Sequence, residues 1–263
     1  MSAGEHSEVR TLKFTQEQAD NFYGFFKPET VSATGGEPLL EYELVKTLAR
    51  STEKYGGALE LVTNGLYLTK EKISELTGLN SKLFFQISLD GNENYHNELR
   101  QNKQAYESAI KAIDLCSQTD RLVKVRMTVT PFNQNQIPEV INLLDGYKKE
   151  NIHLVMRPVI DSGRAKDNDL SFGNDFSGKL PSYDHLAKYI RVETTYNQDK
   201  CGCGRDTVAI NPQGEIFPCC YMVFNPKYKM GNITENYKEL QQNSEFTNFK
   251  GTCYARYLRQ NEI

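Results

Sequence analysis

The chain has 263 residues, 38% hydrophobic and 25% charged, with 18 Gly and a net charge of −3 from 31 basic and 34 acidic side chains. That length suits one large domain, or a medium domain with a small appendix, and the globular composition excludes a repeat array and a disordered chain. Charge of both signs with no like-charged block argues against a nucleic-acid or membrane-surface binder and favours small molecules or peptides as partners.

At the N-terminus, MSAGEHSEVR contains no signal-peptide core, and no later run reaches the ~18 apolar residues of a membrane span, so a cytoplasmic location is expected. Thr15 and Gln18 stand at capping-box spacing ahead of Ala19, Phe22, Tyr23 and Phe26, which recur at helical spacing. A β-rich run from Thr30 to Ala33 then leads into Gly35-Gly36-Glu37-Pro38 and a helix in which Leu40, Leu44, Val45, Leu48 and Ala49 share a face. The strand Ala58 to Thr63 closes at Asn64-Gly65, Thr69 opens a helix carrying Ile73 and Leu76, and the strand Leu83 to Leu89 ends at Asp90-Gly91. A helix around Ala105 to Cys116 feeds the strand Val123 to Val129, and one around Ile137 to Lys149 feeds the strand His153 to Val159.

Five strands separated by helices predict an α/β fold, a parallel sheet of right-handed βαβ units that is either barrel-like or doubly wound. In both architectures ligands bind at the carboxyl edge of the strands, here Thr34-Gly35, Asn64-Gly65, Asp90-Gly91 and Asp161-Ser162-Gly163. After Val159 the alternation stops. Residues 161–200 read as a linker with a short helix around Tyr183 to Ile190. Beyond it, a run from Thr207 to Ile210, the turn Asn211-Pro212-Gln213-Gly214 and a run from Glu215 to Pro218 predict a hairpin with thiols at both open ends. The expected division is 1–160, 161–200 and 201–263.

Two groups of residues carry candidate chemistry. Gly35 and Gly36, without Cβ atoms, let backbone groups approach a ligand, and Glu37 can take up an ammonium; a plain tight βα turn accounts for the same residues. No dinucleotide fingerprint or GxxxxGK phosphate loop is present in the sequence. Of the six cysteines, Cys116 stands alone, while Cys201, Cys203, Cys219, Cys220 and Cys253 fall in the last quarter. In a reducing compartment such a cluster reads as metal ligation or thiol chemistry before disulfides. Cys203, ten residues, Gly214, four residues and Cys219 set two thiols across a turn, suited to one soft metal centre. A structural zinc site and unligated buried thiols are the competing explanations. The histidines at 6, 96, 153 and 185 lack metal-ligand spacing, and His153 reads as structural.

Thr34-Gly35-Gly36-Glu37-Pro38-Leu39-Leu40, Thr63-Asn64-Gly65, Ile87-Ser88-Leu89-Asp90-Gly91, His96, Arg100, Gly163-Arg164-Ala165, the cysteine hairpin and Gly231-Asn232-Ile233 follow one another in a familiar order. In this the chain resembles radical S-adenosylmethionine (SAM) enzymes with a C-terminal SPASM or twitch extension, a group that includes sulfatase maturases and peptide-modifying enzymes. The resemblance implies a partial TIM-like barrel of about five parallel strands and a small Cys-rich hairpin domain. It assigns Gly35, Gly36 and Glu37 to the methionyl amino group of SAM, with Pro38, Asn64 and Asp90 in the same cofactor-binding segments and Ser88 and Arg100 as further SAM contacts. The hairpin cysteines, with Cys253, are implied to hold one auxiliary [4Fe-4S] cluster. A peptide or protein substrate and an electron donor such as flavodoxin or ferredoxin are implied too; no catalytic side chain is assigned.

Two departures from the family pattern matter. The CxxxCxxC loop, whose cluster reduces SAM to a radical in such enzymes, has no counterpart, since no cysteine precedes Cys116. The expectation is therefore a missing first βα unit, through a start codon upstream of Met1 or through gene loss, and a chain that binds SAM weakly or not at all and does not cleave it. Second, only Cys253 follows the hairpin, so one auxiliary cluster is the maximum, and Cys220 stands where sulfatase-maturing relatives carry an acid, which disfavours that substrate. A non-catalytic peptide- or cluster-binding module and an unrelated zinc-hairpin α/β protein are the alternatives.

Overall fold

Helix α1, Gln16–Phe26, begins at the capping box: the Gln18 N–H donates to Thr15 Oγ1 at 3.2 Å and the Thr15 N–H to Gln18 Oε1 at 3.0 Å. The computed structural model describes residues 14–159, 170, 172, 180–194, 202–204, 206–223 and 225–234. Two compact units emerge, one spanning Glu29–Tyr196 and the other joining Glu5–Pro28 to Asn197–Ile263. Helix α1 thus groups with the C-terminal segment, although the sequence order places it ahead of the sheet. Its buried Phe22 and Tyr23 meet Phe14 edge-on at 6.3 and 6.4 Å.

The larger unit is built on β1 (Thr30–Ala33), β2 (Ala58–Thr63), β3 (Phe84–Ser88), β4 (Val123–Val129), β5 (Ile152–Pro158) and β6 (Arg191–Thr194), all parallel and in sequence order across one sheet. The connecting helices are α2 (Tyr42–Lys54), α3 (Lys70–Leu79), α4 (Glu93–Arg100), α5 (Ala105–Ser117) and α6 (Ile137–Asp145). Strand alternation sends Leu59, Leu61, Phe85, Ile87, Val123, Val125 and Met127 to one face, where they pack with Val45 and Ala49 of α2, Ile73 and Leu76 of α3, Ala109 and Ile113 of α5 and Val140 and Ile141 of α6. Each such side chain is fully or almost fully buried, worth roughly 1.5–3 kcal/mol for the larger ones. Four helices on one face of an all-parallel sheet correspond to a partial TIM-like barrel, and the doubly wound alternative is set aside.

The sheet has six strands where the sequence pattern shows five. The sixth, β6, lies inside the expected linker, and the helix expected around Tyr183 to Ile190 is reduced to a single 3₁₀ turn, Asp184–Leu186. Asp145, at the end of α6, supplies the reason. Its Oδ1 accepts the N–H groups of Lys188, Tyr189 and Ile190 at 3.0, 2.7 and 3.2 Å. N–H groups given to Asp145 are not given to carbonyls one turn back, so no helix continues through Lys188–Ile190 and the chain enters β6, beside β5.

In the smaller unit the predicted hairpin forms as β7 (Ala209–Ile210) and β8 (Glu215–Phe217), with β9 (Gly231–Asn232) adding a third antiparallel strand. Asn211 closes the turn by accepting the Gln213 and Glu215 N–H groups at 3.0 and 2.9 Å. Gly214, at φ +77°, lies where a Cβ would meet Ile233 at 3.0 Å.

Candidate functional site

Parallel strands deliver Gly35, Asn64, Ser88 and Asp90 to one edge of the sheet. Gly35 has φ +133°, and open space surrounds both Gly35 and Gly36, so the turn after β1 is accessible to a ligand. Glu37 starts the 3₁₀ turn Pro38–Glu41 and ties it to the end of β2. Its Oε1 accepts the Thr63 hydroxyl at 2.8 Å and the Leu39 N–H at 3.2 Å; its Oε2 accepts the Asn64 N–H at 2.9 Å. A carboxylate has about four acceptor positions, so room for an ammonium remains. Gly65, at φ +86° and 2.7 Å from the Ser108 carbonyl if given a Cβ, lets this turn lie against α5.

One strand along, Asp90 is 1% exposed and anchors a second network. Arg100, from the end of α4, donates Nε–H and Nη2–H to Asp90 Oδ2 at 2.9 and 2.6 Å, and the Thr128 N–H donates to Oδ1 at 2.9 Å. The Asp90 N–H donates to His96 Nδ1 at 3.0 Å, which requires a neutral imidazole. Burial keeps it neutral by pushing the His96 pKa down to about 4, against the opposing pull of Asp90. Asn133 closes the network through its Nδ2–H to the Asp90 carbonyl at 2.6 Å. The structure therefore joins Glu37 to Asn64 and Asp90 to Arg100; Ser88 lies half-buried at the end of β3.

The second face of the sheet carries functional candidates that motif reading missed. Rows of register partners place Gln86 beside Lys124 and His153, Ser88 beside Arg126, and Thr128 beside Arg157. At one end Glu60 accepts the Ser32 hydroxyl and lies 3.7 Å from Lys124 Nζ, which sits 4.4 Å above the Phe84 ring. At the other, His153 Nδ1 lies 3.4 Å from Glu193. Parallel strands packed on both faces read as nearly unbroken apolar runs. The alternation Val123-Lys124-Val125-Arg126-Met127-Thr128 was the available signal that this face is instead polar.

In the smaller unit Cys203 is buried, Cys219 half-buried and Cys220 exposed. Cys203 and Cys219 belong to a small core with Phe217, Met222 and Tyr228. The Cys219 thiol hydrogen-bonds Cys203, which pushes its pKa up to about 12 against the opposing bond from Cys220, and its sulfur accepts the Tyr221 N–H at 3.3 Å. Two adjacent sulfurs, one already receiving a backbone N–H, fit two ligands of an iron–sulfur cluster. Among the described residues no three His, Cys, Asp or Glu side chains converge as a metal site. Cys201, Cys253 and the Gly163-Arg164-Ala165 segment lie outside the described residues. Cys116 is buried in the core of the sheet unit, where desolvation pushes its thiol up.

Comparison with known proteins accords with this geometry. The radical SAM superfamily pattern matches residues 2–144, and that of the SPASM iron–sulfur cluster-binding domain matches residues 201–262. The chain is 24% identical over 264 residues to the antilisterial bacteriocin subtilosin biosynthesis protein AlbA of Bacillus subtilis, covering 89% of this chain and 58% of that protein. It is 26% identical over 236 residues to the mycofactocin maturase MftC of Mycolicibacterium smegmatis, covering 82% and 58%. The crystal structure of Streptococcus suis SuiB bound to precursor peptide SuiA superposes with a TM-score of 0.69 at 14% identity, covering 98% of this chain and 68% of that one. The chain thus spans a little over half the length of these two curated relatives. No helix among the described residues is long and apolar enough to cross a membrane. Fold, paired thiols and family patterns agree: the chain belongs to the radical SAM superfamily and carries a C-terminal SPASM domain.

Proposed function

We propose that this chain is the SAM-binding and auxiliary-cluster-binding body of a cytoplasmic oxidoreductase that modifies a peptide or protein side chain. The observation that carries this reading is the polar second face of the parallel sheet, opening toward the edge that gathers Gly35, Gly36, Glu37, Asn64, Ser88 and Arg100. Glu37 orients the two loops on either side of that edge and retains acceptor capacity for the ammonium of SAM. Gly35 and Gly36 admit the ligand to the backbone, and Ser88 and Arg100 supply donors from β3 and α4. Lys124, Arg126 and Arg157 line the strands where a peptide's polar groups would lie.

In the smaller unit, Cys203 and Cys219 would hold two corners of one auxiliary cluster, completed from Cys201, Cys220 and Cys253. Such a group supplies one-electron chemistry at a low potential set by its hydrogen bonds and burial. Here the Tyr221 N–H is the donor onto a sulfur. A small electron carrier of the flavodoxin or ferredoxin type is the proposed reductant. Because the 263 residues hold no CxxxCxxC, the chain on its own is proposed to bind SAM weakly and to leave it intact.

The likeness of the chain to proteins named for bacteriocin biosynthesis and mycofactocin maturation supports a peptide substrate. Titration of SAM into purified chain, followed by dithionite and chromatography of the products, tests the reading. Saturable SAM binding with no 5′-deoxyadenosine is the expected result; reductive SAM cleavage by this chain alone, or no binding at all, contradicts it.

A further inference from the structure

We propose that Asp90 is no ligand-binding group but the positioning residue that presents the Arg100 guanidinium at the carboxyl edge of the sheet, an inference that rests on the SAM reading above. Its carboxylate is sealed. Oδ2 takes two N–H groups of Arg100, Oδ1 takes the Thr128 N–H, and the side chain is 1% exposed, so no cofactor can approach. The backbone of Asp90 is held equally firmly, its N–H by His96 Nδ1 and its carbonyl by Asn133 Nδ2. These partners come from α4, from β4 and from the loop that follows β4, so the carboxylate cannot rotate without breaking several charge-assisted bonds.

Arg100 presents the complementary picture. Its Nε and Nη2 edge is turned onto Asp90, while the side chain remains 32% exposed. A planar guanidinium fixed along one edge offers its other donors in one direction, which suits an oxygen acceptor on the ligand. The ordering entropy of a long, flexible stem is lost on folding and not at ligand binding.

Isothermal titration of SAM into the full chain separates affinity from the fraction of folded protein. Asp90→Asn keeps the shape and removes the charge; it is expected to weaken SAM binding on the order of tenfold at unchanged stoichiometry. Arg100→Gln is expected to do the same, and the double variant to be no more than about twofold weaker than either single. Wild-type affinity in Asp90→Asn, or losses that multiply in the double variant, overturns the proposal. Should Asp90→Asn fail to fold, the wild type labelled with ¹⁵N decides: a resolved, slowly exchanging Arg100 Nε–H supports the proposal, and rapid exchange with water overturns it. A wild type that binds no SAM while its Arg100 Nε–H stays protected refutes the SAM reading and supports the fixed guanidinium.

Discussion

In the sheet unit the carboxylates at the carboxyl edge are held in place before any ligand arrives: Glu37 and Asp90 each collect three N–H or O–H donors from their own chain. In the hairpin unit the central groups are two thiols hydrogen-bonded to one another, packed among the described residues with Phe217, Met222 and Tyr228. A carboxylate network on a large apolar core is preorganised, whereas thiols that must lose protons to bind metal gain folding energy from the metal itself. The sheet unit is therefore expected to fold without cofactor, and the hairpin unit to depend on one.

The strongest way to break this contrast is to damage one core and watch the other unit. Phe85 is fully buried, and Phe85→Ala is expected to destabilise the sheet unit by about 3–5 kcal/mol in urea, while iron uptake by the hairpin thiols at low denaturant is unchanged. A common, single loss of both would show that the units do not behave separately.

Acid provides the next largest effect. His96 stays neutral in the folded chain down to about pH 4, against 6.5 for a free imidazole. As pH falls from 6.5 to 4 the unfolded chain takes up a proton that the folded chain does not, so stability present above that window is lost within it, by up to ~3 kcal/mol. Urea midpoints should fall over this range, and His96→Gln should flatten the slope. Gly65→Ala combines a left-handed φ of +86° with a backbone contact at 2.7 Å, and about 2 kcal/mol of destabilisation is expected from thermal melts. Smallest is Asp145→Asn. Partial burial raises the Asp145 pKa, but the N–H groups of Tyr189, Ile190 and Lys188 outweigh that and hold it below the usual range. Loss of its charge should cost about 1 kcal/mol and speed amide exchange in β6 without touching β2 or β3.

How much of this was legible beforehand depended on whether the determining interaction was local. The capping box of α1, strands β1 to β5 and the turn at Gly214 announce themselves within a few residues, and there structure and pattern coincide within a residue or two. Strand β6 did not, because its entry is set by Asp145, more than forty residues earlier. Likewise nothing in the residues adjoining Asp90 reveals that Arg100 and Thr128 fill its oxygens. The polar second face was visible in the alternation of β4, whose polar residues repeat every second position and form no contiguous motif. The pairing of Cys203 with Cys219 was readable from spacing alone, since a hairpin turns sequence separation directly into proximity.

Cys203 and Cys219 are proposed to serve as cluster ligands in a unit that needs them to fold. Anaerobic reconstitution with iron and sulfide, with metal analysis of the wild type, Cys203→Ser and Cys219→Ser, measures this directly. About four irons per chain in the wild type and loss of iron in both variants is predicted. One zinc per chain, or iron retained after either substitution, contradicts it.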